Sequence, residues 1–345
     1  MGHRNGQLIH RSSADDGMTW SSPVVIAPAA GNFPAMYGGL AADGDNVFLI
    51  TAPDDMSSSA SAGGRQLDFR RSTDNGATWS SPLRITTSTN PIFRARIAAR
   101  GQFVHVAGVI SPTTDASLWY FRSTNGGASF TATQLDMNLG PYGGGQTVAV
   151  DGSTVHIGYT RAMNGVGAGP TLYVRSVDDG ATWSPPVTIG ESSMESSRQA
   201  RVQVSAQGGR VFVCWQREGS FTGAPLPADR LGFTVSLNGG TTWSTPAIVP
   251  GDTGVDRNHH QIWMGPGGSL HVLWRHGDSG DTVPDAAGYR FSPDDGVTWR
   301  PTELAIDTRA TLGANHPWSM VADADAVHVL AGPSGTMQYA CKRLP

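Results

Sequence analysis

The chain has 345 residues, with 44 Gly, 22 Pro, 10 Trp and a net charge of −4. That charge gives no reason to expect nucleic acid as a partner, and no apolar run approaches the ~18 residues of a membrane span. Glycine, proline and tryptophan in these amounts point to many short strands joined by tight turns.

In chain order, Gln7 to Arg11 reads as a strand entering Ser13-Ala14-Asp15-Asp16-Gly17-Met18-Thr19-Trp20, and Val24 to Ile26 as the strand leaving it. The Ser-x-Asp-x-Gly-x-Thr-Trp spelling returns at Ser72/Asp74/Gly76/Thr78/Trp79 and Ser123/Asn125/Gly127/Ser129/Phe130. Three more copies follow at Ser176/Asp178/Gly180/Thr182/Trp183, Ser236/Asn238/Gly240/Thr242/Trp243 and Ser292/Asp294/Gly296/Thr298/Trp299. The aromatics stand roughly 50 to 60 residues apart, the period of a repeated unit such as a propeller blade. Asp or Asn two places before Gly is turn chemistry: its side-chain oxygen accepts nearby backbone N–H bonds, and Gly takes a positive φ. The Trp beyond the turn offers a large apolar body that can wedge between sheets. The repeat is therefore structural, and none of its Asp residues is a candidate for chemistry.

Between copies a fixed order recurs. After each Trp a short apolar strand follows (Val24 to Ile26, Leu83 to Ile85, Val187 to Ile189, Ala247 to Val249), then an inner strand such as Arg94 to Ala99 or Gln199 to Ser205. A Gly or Asp turn leads to a β-branched and aromatic run: Val47 to Thr51, Phe103 to Val109, Val155 to Tyr159, Val211 to Trp215 or Leu270 to Trp274. The next strand enters the next copy. Five complete four-stranded units result. The N-terminal strands and Trp318 to Ala322, Val327 to Ala331 and Met337 to Lys342 are expected to pool into a sixth, with one strand in surplus; ring closure would remove open edges. The expected fold is all-β: a six-bladed β-propeller of four-stranded antiparallel blades, one domain over 1–345, closed by the N- and C-terminal strands.

Arg11, Arg71, Arg122 and Arg175 recur at or near the residue before the repeat serine and read as parts of the blade scaffold. Cys214 and Cys341 read as two buried thiols, with a pair between them as the alternative. Met1-Gly2-His3-Arg4 runs into the first repeat with no leader visible, and a secreted or cell-surface location is expected.

Up-and-down strands place the tight turns and the repeat on one face. The other carries long, dissimilar connections: Pro53 to Gly64, Ser111 to Ala116, Arg161 to Pro170, Arg217 to Arg230 and His276 to Gly288. Irregular loops on a regular scaffold are where binding usually sits, so the site is expected on that face, around a central channel. The inner-strand starts there supply Tyr37, Arg94, Arg96, Tyr142, Arg198, Arg201, Arg257, His259, His260, His316 and Trp318; the second strands add Arg217 and Arg275. Converging cations suit an anionic ligand, most simply a sugar carboxylate. His259 and His260 are adjacent, so on a strand they point to opposite faces and cannot both serve one metal. No metal or other cofactor is expected.

The six copies resemble the Asp-box, or bacterial neuraminidase repeat, of the sialidase superfamily, over most of the chain. That resemblance implies a propeller whose relatives include hydrolases, lyases, binding modules and scaffolds. Sialidases hold the substrate carboxylate with three arginines and use a Glu-activated Tyr as nucleophile and an Asp as acid/base. Here the Arg-Ile-Pro signature is missing, Trp318 stands where the Tyr would, and the position sixteen before Arg217 is Arg201 rather than Glu. Three readings follow. A glycosidase acting on an acidic oligosaccharide or polysaccharide would draw carboxylates from Glu195, Asp256 or Asp55. A lyase would use His259, His260 or His316, with Tyr37 or Tyr142, to take the proton α to a uronate carboxylate while arginines neutralise it. A glycan-binding or scaffold propeller would stack Phe33, Tyr37, Phe93, Tyr142 and Trp318 on sugars. The glycosidase, as a monomer, is the leading expectation.

Overall fold

The computed structural model describes residues 2–4, 7–15, 17–27, 39–51, 67–86, 92–110, 116–140, 144–162, 169–192, 201–217, 230–250, 260–276, 286–301, 303–306, 318–322, 326–331 and 338–343. For 2–4, 93, 94, 192, 217, 230, 275, 276, 286, 287 and 303 onward the description is of the backbone alone.

Among the described residues seven antiparallel sheets follow one another along the chain. The first holds β1 (Gly2–Arg4), β2 (Gln7–His10) and β3 (Val24–Ala27). Five four-stranded sheets follow, each in sequence order across the sheet. They are β4 (Gly39–Asp43), β5 (Asn46–Thr51), β6 (Asp68–Ser72) and β7 (Leu83–Arg84); and β8 (Ile92–Arg100), β9 (Phe103–Ile110), β10 (Ser117–Ser123) and β11 (Thr131–Asp136). Next come β12 (Gly144–Asp151), β13 (Thr154–Thr160), β14 (Gly169–Ser176) and β15 (Val187–Ser192); and β16 (Val202–Gln207), β17 (Arg210–Arg217), β18 (Arg230–Ser236) and β19 (Ala247–Ile248). The fifth is β20 (Gln261–Met264), β21 (Leu270–His276), β22 (Ala286–Ser292) and β23 (Glu303–Ile306), with a 3-10 turn at Pro266–Gly268 after β20. The last sheet is β24 (Trp318–Ala322), β25 (Ala326–Ala331) and β26 (Gln338–Arg343).

These are the five four-stranded units expected from the sequence. Among the described residues each terminal set pairs into a three-stranded sheet, the N-terminal one with β1 as its third strand, a strand the sequence reading does not contain. By contact the chain forms two compact units, Met1–Val155 with Ser176–Trp183, and His156–Arg175 with Ser184–Pro345. In the first the core gathers Phe48, Ile50, Phe69, Ile92, Val104 and Val106; in the second Phe212, Cys214, Leu231, Val272 and Trp274. Cys214 is a buried free thiol, as expected; the Cys341 side chain lies outside the described residues.

Each repeat is a closed hydrogen-bond circuit. In the copy at Ser176, the Ser176 hydroxyl donates to Asp178 Oδ1 at 2.6 Å and accepts from Gly180 N at 2.8 Å. Asp178 then accepts from Thr182 N at 2.8 Å and from Thr182 Oγ1 at 2.6 Å. These hydrogen bonds hold the Asp178 carboxyl well below the usual carboxylate range. Where Asn replaces Asp the last bond reverses: Asn238 Nδ2 donates to Thr242 Oγ1 at 2.8 Å. Asp178→Asn is therefore expected to leave stability within about 0.5 kcal/mol, and Asp178→Ala to cost about 1 kcal/mol, as loss of a helix cap does; urea unfolding of both variants checks this.

The repeat also joins successive sheets. Three residues before each serine a ring on the third strand meets the aromatic of the following copy edge-on: Phe69 with Phe130 at 4.9 Å, Tyr120 with Trp183 at 4.7 Å, Tyr173 with Trp243 at 4.7 Å and Phe233 with Trp299 at 5.4 Å. The next copy's glycine backs onto the same ring, so Gly127 lies against Phe69 and Gly180 against the Tyr120 hydroxyl. Hence residues 176–183 belong by contact with the first unit. The arginines assigned to the scaffold do the same work: Arg71 donates to Gly126 O at 2.9 Å, Arg122 to Asp179 O at 2.6 Å and Arg175 to Gly239 O at 2.5 Å.

Among the described residues three buried His–Tyr pairs lie beneath the repeats, one across each of three sheets: His105 Nδ1 to Tyr120 OH at 2.6 Å, His156 Nδ1 to Tyr173 OH at 2.6 Å and His271 Nδ1 to Tyr289 OH at 2.9 Å. Phe48 with Phe69 and Phe212 with Phe233 take this place in two other sheets. Burial drives the His105 and His271 imidazoles down to about 4 and raises the Tyr120 and Tyr289 phenols.

Candidate carbohydrate site

The turn between first and second strands bonds to the repeat of the same sheet at five successive places: Asn75 N to Asp45 O, Gly126 N to Gln102 O, Asp179 N to Ser153 O, Gly239 N to Gly209 O and Asp295 N to Gly268 O. Turns and repeats therefore share one end of each sheet, as the strand order requires. The starts of the first strands and the ends of the second lie at the other.

In the first unit that end of β8 bears Arg94 and Arg96. Phe93 pairs with Val109 but Arg96 with Ala107, so a bulge falls at Arg94 and Ala95. A bulge bends its strand and re-aims side chains. Arg96 is half-buried and its Nη1 donates to Ala95 O at 3.2 Å. β8 lies against both β4 and β12, the first strands of the neighbouring sheets. On β12, Gln146 and Thr147 are buried polar residues that had not been singled out as site residues. Glycines at 144 and 145 just ahead of a polar pair were the available signal.

In the second unit Arg201, half-buried, lies just before β16, and its carbonyl accepts from Gln216 N at 3.1 Å. Arg217 follows at the end of β17, opposite Arg230. His260 precedes β20, and Arg275 lies near the end of β21 opposite Ala287. The first strands β16 and β20 are neighbours. His260 is only 1 % exposed, and its Nε2 approaches Cys214 O at 3.4 Å. Since a carbonyl can only accept, that nitrogen is the donor in this contact. Its burial suits an anchor between β20 and β17 better than direct contact with a bulky polymer. Trp318 opens β24 opposite Ala331.

Within each unit the sheet register thus brings the described candidate arginines, Arg94 and Arg96 in the first and Arg201, Arg217 and Arg275 in the second, to sheet ends remote from the repeats. Tyr37, Tyr142, Glu195, Arg198, Asp256, Arg257, His259 and His316 lie outside the described residues. No group of three or more His, Cys, Asp or Glu able to hold a metal occurs among the described residues, and no described helix is long and apolar enough to cross a membrane.

No curated protein matches the chain by sequence. Among solved structures, a polysaccharide lyase of family PL25, an ulvan lyase, is similar with a TM-score of 0.60 at 11% identity, covering 90% of this chain and 79% of that one. An α-L-arabinanase from Penicillium chrysogenum gives 0.56 at 13% identity, covering 89% and 92%. A sialidase from Trypanosoma rangeli gives 0.50 at 12% identity, covering 81% and 48%. At such identities the likeness concerns the fold. Residues 2–272 match the BNR repeat-like domain. With six copies of the repeat and the sheets that they join, the chain belongs to the BNR repeat-like domain family.

Proposed function

We propose that this protein is a carbohydrate-active propeller that binds an acidic oligosaccharide or polysaccharide at the sheet ends remote from its Asp boxes and hydrolyses a glycosidic bond in it. The observation that supports this is that, each within its own unit, Arg94 and Arg96 on β8, and Arg201 just before β16 with Arg217 on β17 and Arg275 on β21, lie at the sheet ends remote from the repeats. Guanidinium groups pair with carboxylate or sulfate oxygens in a planar, two-bonded way, and a ligand of several acidic sugars could engage more than one of them. Glu195 and Asp256 stand on the connections running into Arg201 and His260, a few residues ahead of each. They are the carboxylates this reading assigns to acid/base work.

The test is incubation with a panel of sialylated, uronate-containing and neutral glycans, following released reducing sugar and the ultraviolet absorbance of an unsaturated uronate. New reducing ends without absorbance are expected. Absorbance would replace hydrolysis by elimination, and neither binding nor product from any acidic glycan would overturn the proposal. Arg201→Ala is expected to weaken binding of an acidic oligosaccharide roughly 10- to 100-fold, the worth of a charge-assisted hydrogen bond, with the fold unchanged.

A further inference from the structure

Arg201 begins a polar row that runs along one side of β16. Gln216 N donates to Arg201 O one place beyond the pairing of Val202 with Trp215, so Arg201 continues the ladder between β16 and β17. Residues two apart on a strand share a face, which sets Arg201, Gln203 and Ser205 in line. Two contacts tell which way that face turns. Val202 and Val204, on the other face, fill the space that a side chain at Gly158 on β13 would occupy, whereas the Ser205 hydroxyl accepts from Met264 N on β20 at 2.9 Å. The row therefore looks towards β20. Facing it from β20 and the residue ahead of it are His260 and Met264, each 1 % exposed, and half-buried Ile262. The Ser205 to Met264 bond ties the two strands together nearer the repeats. Arg201 and Gln203, both half-buried, lie beyond that tie, at the end where the candidate arginines stand.

Gln203 also recurs in the register. It lies opposite Cys214, two residues past Phe212; Gln261 lies opposite Leu273, two past His271, and Arg96 opposite Ala107, two past His105. Each of these three first strands thus carries a polar side chain at the same level of its own sheet, and one of the three is a candidate arginine.

We infer that Gln203 is a specificity-determining residue: the acidic sugar that pairs with Arg201 is a hexuronate, and the Gln203 amide reads its ring hydroxyls. The inference deepens the proposed function and rests on it for the presence of an acidic glycan at this end. Its physical reasons are spacing and chemistry. Residues two apart on a strand stand about 6.5 Å apart, and in a hexuronate the carboxylate and the 2- and 3-hydroxyls lie across the ring from one another, a comparable span. A guanidinium suits the carboxylate, while an amide, which both donates and accepts, suits neighbouring hydroxyls. Ile262, across the gap, offers an apolar surface to the C–H groups of the ring.

The test compares two probes, an oligogalacturonate and an oligoacrylate of similar charge, which has carboxylates but no hydroxyls. Gln203→Leu keeps most of the side-chain volume and removes its polar atoms. It is expected to weaken binding of the oligogalacturonate roughly 5- to 10-fold, the worth of one or two neutral hydrogen bonds, and to change oligoacrylate binding by less than about 2-fold. Arg201→Ala is expected to weaken both. Equal losses on the two probes from Gln203→Leu, or none on the oligogalacturonate, overturn the inference. Binding of a sialylated glycan but of no uronate overturns it too and leaves the proposed function standing, whereas failure to bind any acidic glycan sinks both. If Gln203→Leu does not fold, or oligoacrylate does not bind, the wild-type protein decides. Oligogalacturonate acetylated on its 2- and 3-hydroxyls keeps every carboxylate and is expected to bind roughly 5-fold or more weakly than the free form; equal binding of the two forms overturns the inference.

Discussion

Gly180→Ala is expected to destabilise the protein by roughly 2 to 5 kcal/mol, read as a shift in the urea midpoint. Two costs add. Gly180 has a φ of +82°, which an L-residue adopts at a cost of about 1 to 2 kcal/mol. Its added Cβ would also fall on the Tyr120 hydroxyl, and forcing a buried ring aside costs about 1 to 3 kcal/mol more. Moving Tyr120 would disturb its bond to His105 and its edge-on contact with Trp183. Gly152→Ala separates the two costs: φ there is +58°, and nothing lies within 4 Å of the added atom. That variant should lose only the backbone share, about 1 to 2 kcal/mol. Equal losses in both variants would mean that the ring contact contributes nothing.

The second large effect is acid sensitivity above the carboxylate range. His105 and His271, held near 4 by burial, are neutral in the folded protein, whereas an unfolded chain protonates them near 6.5. A depressed folded value means that the unfolded state binds protons first. Their stabilisation is therefore complete above about pH 6.5 and is lost as the pH falls from 6.5 to 4, on the order of 3 kcal/mol for each histidine. Around His105, Asp179 opposes this depression while Arg122 and Arg100 reinforce it. The repeat carboxylates do not act in that window: Asp15 and Asp74, held near 2 by their hydrogen bonds, keep their contribution above about 3.8 and lose it only at lower pH. Unfolding measured from pH 7 to 4.5 should thus show a loss due to histidine. The chain supplies its own control, because Phe48 with Phe69 and Phe212 with Phe233 fill the same register without titrating. The double variant His105→Phe, Tyr120→Phe is expected to fold and to flatten the pH slope; an unchanged slope would show that this histidine is not the sensor.

The Asp box was legible because its physics is local. Serine hydroxyl, aspartate carboxylate, glycine with positive φ and threonine all lie within eight residues, and their bonds close inside that span. The alternation of β-branched runs and turns likewise placed five four-stranded sheets with boundaries close to those observed. β1 was passed over because Gly2-His3-Arg4 has no strand composition of its own; pairing with Gln7 to Ile9 makes it a strand. The arrangement at the terminal sheets was equally out of reach, since which strands pair is not contained in any one of them.

For the site, the alternation of connections was enough to say which end of each sheet would carry the arginines. It could not say which of them would be half-buried or bonded. Sequence alone therefore determined the repeat, its turn chemistry, the all-β class and the end of the sheets that carries the candidate arginines, because each depends on short-range spelling or strand parity. Tertiary structure alone decided that His260 is buried against the Cys214 carbonyl, that a bulge interrupts β8 between Phe93 and Arg96, and that Trp215 reaches Glu191 of the preceding sheet. These contacts depend on register between strands far apart in the chain, where burial and close packing, rather than local preference, choose the partner.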